Sequence, residues 1–148
     1  MMTGHALRTV LAALLAVAAS VVAAAQDAPA GFRSPSGNIH CQFWPGDSGR
    51  EADASIRCDV MQMSNRPPAR PRDCDLEWGD AFEVSGNAAA GAPLCHGDTA
   101  RDDTLPALAY GKTFQRAGLI CISEESGVTC VNAKGHGFEI SRGKQRVF

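Results

Sequence analysis

The sequence predicts an all-β domain, a small disulfide-stapled barrel or sandwich of about six to eight short antiparallel strands. Three observations carry that expectation. The six cysteines, Cys41, Cys58, Cys74, Cys95, Cys121 and Cys130, form an even set with no C-x-x-C pair, which suits a disulfide framework and not a zinc ribbon or thioredoxin-type site. Apolar residues alternate with polar ones at period two in several short runs. No helical period is sustained beyond the first 25 residues.

Those first residues read as a leader. Arg8 precedes an apolar run from Val10 to Ala25, and small residues stand before Gln26, the pattern of a secretory signal peptide cut after Ala25. The run is shorter and richer in alanine than the roughly 20 apolar residues of a spanning helix, so no membrane span is expected once it is removed. Residues 26–148 are then expected to form a single cysteine-rich domain, periplasmic or extracellular, where disulfides persist. The net charge is −2, and loss of Arg8 makes the remainder more acidic. A nucleic-acid binder would be basic, so no nucleic-acid partner is expected.

The elements follow in order. In NIHCQF, Ile39, Cys41 and Phe43 share one face; in SIRCDV, Ile56, Cys58 and Val60 do. Pairing the runs antiparallel with Cys41 opposite Cys58 sets Phe43 against Ile56 and Ile39 against Val60, so every apolar side chain falls on one side. The same logic sets Cys121 opposite Cys130 around the loop Glu124 to Gly127, with Ile120 and Ile122 against Val131 and Thr129 on the second side, a hairpin expected to be buried on both faces. Cross-strand neighbours lie within disulfide reach, and elimination leaves Cys74 with Cys95. Such bridges contribute about 2 to 4 kcal/mol each, so excess reductant should markedly lower the unfolding midpoint.

Between these hairpins, MQMSNRPPARPRDCD reads as an extended linker, because proline fixes φ and biases its predecessor away from helix. DCDLEWGDAFEV is a strand whose apolar face breaks at Asp80, just after Gly79, as a bulge would. SGNAAAGA is a loop, PLCHGDTARDDTLPAL is irregular, LPALAYGKTFQRAG holds one further strand, and the chain closes on a long strand carrying Phe138 and Ile140.

Chemistry is sparsely signalled. There is no G-x-S-x-G elbow; Ser36 reads as a turn residue and His40 as a surface neighbour of Asp59. The run from Asp73 resembles the start of a calcium loop, but Trp78 stands where glycine is needed and Val84 where glutamate is needed, so that motif is rejected. His40, His96 and His136 lack H-E-x-x-H spacing, and no metal or other cofactor is expected.

The set SPSGNIHC, DCDLEWG, HGDT, AYG, SGVTC and GHGFEISR, covering Phe32 to Phe148, resembles a family of small exported bacterial domains of unknown function. The resemblance implies a shared turn at Gly135–Phe138 and supplies no activity. SGVTC is also a looser copy of SPSGNIHC: serine and glycine lead through a short β run into a cysteine in both.

Two functions are therefore weighed. The favoured one is a non-catalytic module binding an envelope or extracellular protein or a glycan, with His136, Phe138 and Arg142 as candidate ligand contacts. The alternative is a small secreted hydrolase or metal-dependent enzyme using His136 or His96 with nearby aspartates. A pocket joining a histidine, a carboxylate and a serine would favour the enzyme, and buried, satisfied histidines the binder. The sequence sets no oligomeric state.

Overall fold

The computed structural model describes residues 30–148; the expected leader, residues 1–25, lies outside the described residues. Two five-stranded antiparallel meanders account for the fold. The first contains β1 (Gly31–Arg33), β2 (Ile39–Trp44), β3 (Ser55–Val60), β4 (Glu77–Ser85) and β5 (Ala92–His96) in that spatial order. The second contains β6 (Thr113–Arg116), β7 (Leu119–Glu124), β8 (Gly127–Val131), β9 (Gly137–Ile140) and β10 (Gln145–Val147), also in sequence order. Their apolar faces pack together as a sandwich.

Each sheet carries the same row of side chains across its strands. In the first, Phe32 pairs with Cys41, Cys41 with Cys58, and Cys58 with Phe82. In the second, the row is Phe114, Cys121, Cys130 and Phe138. The rows face each other: Phe32 stacks on Phe114 at 5.3 Å, Phe82 on Phe138 at 6.3 Å, and the sulfurs of Cys58 and Cys130 lie 3.8 Å apart. Alternation dictates this arrangement, since it turns each row inward while the intervening residues face out. Disulfides join Cys41 to Cys58, Cys74 to Cys95 and Cys121 to Cys130, matching the expected pairs and both hairpin registers.

The strand count differs from the expected six to eight. β1 and β10 have three residues each, too few to show a period. The expected long final strand is two strands, β9 and β10. The chain folds back at Ser141, whose N–H donates to the Lys144 carbonyl while its Oγ accepts the Lys144 N–H. The break expected at Asp80 is present, because register shifts between Trp78 and Phe82, and Gly79 sits at φ +100°.

The second hairpin is not buried on both faces: Ile122 is 39% exposed. Among the described residues, a covering segment lies over the outer face of the first sheet. A strap, residues 97–108, leaves β5 and crosses back to β1, where the Arg33 N–H donates to the Pro106 carbonyl and the Leu108 N–H to the Arg33 carbonyl. The covered face is polar, so the strap packs through charge and hydrogen bonds.

Candidate binding groove

Beneath the strap, β3 presents Arg57 and Asp59, both buried. Asp59 accepts hydrogen bonds from Arg57 Nε (2.8 Å) and Nη2 (3.0 Å), Thr99 Oγ1 (3.2 Å) and the Ala100 N–H (2.7 Å). Arg57 Nη1 also donates to Asp98 Oδ1 at 2.8 Å, and this guanidinium holds the Asp98 carboxyl below its ordinary range. A buried ion pair is tolerable when its remaining donors and acceptors are met, and strap atoms meet them here.

The histidines weighed from sequence are absorbed in the same way. His40 is 2% exposed, so it faces Asp59 across the ladder as expected but is not at the surface. The strap, some 60 positions further along the chain, covers it. Its Nδ1 accepts the Asp102 N–H (3.2 Å), which places the ring proton on Nε2, facing the Gly37 carbonyl at 3.1 Å. His96, also buried, donates through Nδ1 to the Asp98 carbonyl and through Nε2 to Asp80 Oδ1 (2.9 Å). Burial alone would lower its pKa; the bonds to Asp80 and the Asp98 carbonyl outweigh it and raise the pKa above the ordinary value. No serine hydroxyl is hydrogen-bonded to either ring among the described residues.

His136 lies in the β8–β9 turn. Its backbone N–H donates to Asn132 Oδ1, and its imidazole has no hydrogen bond or ion pair among the described residues. Phe138 is fully buried against Phe82. Arg142 is at the opposite end of β9, exposed in the β9–β10 turn. The three candidate contacts therefore occupy one end, the core and the other end. The aspartates of HGDTARDD do not converge either: Asp98 meets Arg57, Asp102 meets Thr104 and Asp103 meets Arg101. Cys41, Cys58 and Cys130 bring three sulfurs within 4.8 Å, but all are committed to disulfides and offer no thiolate to a metal.

The Arg142 end holds an open groove in two lobes. One, of about 280 Å³, runs between the β1–β2 turn (Ser34, Ser36), the β7–β8 turn (Glu124, Glu125, Ser126) and Ser141, with Tyr110 at its side. The other, of about 540 Å³, is floored by Gly37 and Met61–Gln62 and flanked by Arg101 and Arg142. Ser36, Asn38 and Arg142 belong to both. The two serine-glycine motifs that echo each other in sequence thus meet in space as facing walls.

The β1–β2 turn, Gln62 and Arg142 are held by internal hydrogen bonds. Ser34 Oγ accepts the Ile39 N–H at 3.0 Å and lies 3.0 Å from Ser36 Oγ. Asn38 is clamped to Gln62, Nδ2 donating to the Gln62 carbonyl (3.1 Å) and Oδ1 accepting its N–H (2.9 Å). Arg142 ties the sheets together: its carbonyl accepts the Ser64 N–H at 2.8 Å and its Nη2 donates to Gln62 Oε1. Beside this end, Ser123 is fully buried, and its Oγ has no hydrogen-bond partner among the described residues.

Sequence reasoning named Arg142 but missed Tyr110, Arg101, Gln62 and the Glu124–Ser126 wall. The one available signal was the serine-glycine echo, which marks two of the turns. No curated protein and no solved structure matches the chain. A family model does match over residues 9–148, and the chain belongs to that family, a family of unknown function designated DUF6636.

Proposed function

We propose that the protein is an exported, non-catalytic binding module, periplasmic or extracellular, whose ligand occupies the groove between the serine-glycine turns. One observation carries the reading: the groove gathers hydroxyl, carboxylate and guanidinium groups from both sheets on hydrogen-bonded turns, and among the described residues no histidine lines it. His40 and His96 are buried and engaged elsewhere. A preformed concave surface with convergent polar groups suits recognition, and the histidines weighed for acid–base work do not reach it. The three disulfides fit an oxidising compartment.

The test is capture from envelope extract by the protein and by its Ser36→Trp variant, which fills the groove from an exposed turn. Specific recovery of a protein or glycan, lost in the variant at an unchanged unfolding midpoint, supports the reading. Metal-dependent hydrolysis in a substrate screen, abolished by His96→Ala, overturns it. The amino terminus of the protein recovered from its native host is expected at Gln26.

A further inference from the structure

We infer that the groove takes an acidic oligosaccharide, a sugar chain bearing carboxylates on its rings; this rests on the binding-module reading and names its ligand. The two lobes differ in chemistry. The smaller is walled by Glu124 and Glu125, by serine hydroxyls and by Tyr110, which is 43% exposed. The larger has Arg101 and Arg142 at its flanks and, among the described residues, no carboxylate in its wall.

A sugar ring presents hydroxyls that both donate and accept, together with a C–H face that packs on an aromatic ring. The smaller lobe supplies each complement: carboxylates to accept, hydroxyls to do either, and Tyr110 as a platform. The larger lobe supplies two guanidiniums, the side chain best shaped to hold a carboxylate by paired hydrogen bonds. Asp103 takes Arg101 Nε and Nη2 at 3.2 and 2.9 Å, which fixes that guanidinium and leaves its Nη1 side for a ligand, while Arg142 is oriented by Gln62. A hydroxyl-rich ring in one lobe and a carboxylate-bearing ring in the next is the sequence of groups a uronate-containing chain presents.

Other ligands fit less well. A small inorganic anion in the smaller lobe would face the like charge of Glu124 and Glu125. An extended peptide needs a free strand edge or an apolar anchor pocket. Here the walls are turns whose backbone groups are partly satisfied internally, as with Gly37 N–H on Ser34 O and Ser141 N–H on Lys144 O.

Titration by calorimetry and NMR should use hexamers in which galacturonate, glucuronate or mannuronate alternates with a neutral sugar, with a neutral galactose hexamer, hexaglutamate and inorganic phosphate as comparators. Expected is binding of at least one uronate chain, with the neutral chain about tenfold or more weaker. Arg142→Ala and Tyr110→Ala should each weaken the uronate about tenfold at an unchanged unfolding midpoint. Equal binding of the neutral chain, hexaglutamate or phosphate, or binding of no uronate, overturns the inference. If uronates fail while Ser36→Trp still abolishes envelope capture, the ligand class alone falls. If that variant also captures normally, the groove reading falls with it.

Discussion

The two ends of the sandwich are built from the same kind of part, turns contributed by both sheets, but one is sealed and the other open. At the sealed end the β8–β9 turn inserts Asn132, 3% exposed, whose Nδ2 donates to the Ser85 and Ala88 carbonyls (3.0 and 2.9 Å). Its Oδ1 accepts the N–H groups of Lys134 and His136. One amide thus satisfies four backbone groups and joins the sheets. At the open end the joining is done at the rim, by Arg142 on Ser64 and Gln62, which leaves a groove lined by side chains. A buried amide closes space because it must spend all its hydrogen bonds on the protein; turns joined by their edges keep hydroxyls and guanidiniums available.

The sharpest way to break the comparison is a matched pair of glycine substitutions. An added Cβ on Gly91, at the sealed end, would stand 2.1 Å from the Gly137 carbonyl oxygen, whereas on Gly143, at the groove, the nearest atom is Ser64 Oγ at 3.5 Å. Gly91→Ala should cost about 3 kcal/mol or more in urea unfolding, and Gly143→Ala less than about 0.5 kcal/mol. Asn132→Ala comes next, at about 2 to 4 kcal/mol, since it strands backbone groups that were paired. Arg142→Ala, its counterpart at the groove, should change stability by no more than about 0.5 kcal/mol while weakening ligand capture.

The strap, which brings Arg101 to the groove, gives a smaller effect with a pH signature. Because the His96 pKa is raised in the fold, its contribution is complete below the unfolded value, near 6.5, and is lost as pH rises through the folded value. Asp98 works in the other direction: its pKa is lowered, so its contribution holds above about 3.8 and fades as pH falls through the folded value. The unfolding midpoint should therefore decline on both flanks of a mildly acidic plateau. His96→Gln is expected to flatten the upper flank alone, with amide exchange quickening first in residues 97–108. A His96→Gln profile parallel to the parent's would remove the titration argument.

How legible the molecule was depends on the distance over which each feature is decided. Cys41 against Cys58 and Cys121 against Cys130 could be read because alternation over six residues leaves one register that buries every apolar side chain. β1 and β10 carry too few residues to show alternation. His40 was read as exposed because its strand places it on the polar face, and nothing local signals that Asp102 returns to cap it. Ile122 was read as buried for the converse reason: its alternation is apolar on both sides, yet no second strap exists among the described residues to cover it. The groove was invisible because its walls come from six separate segments, and only the serine-glycine echo linked two of them.

By itself, then, the sequence determined the all-β class and the two central hairpins with their disulfides, which follow from period-two alternation and the short reach of a disulfide, and elimination added Cys74 with Cys95. The tertiary structure alone decided which polar residues are buried and which are offered to a ligand. That choice rests on where the strap and the turns land after the sheets have packed, and no local pattern encodes contacts made across 60 or more positions of chain.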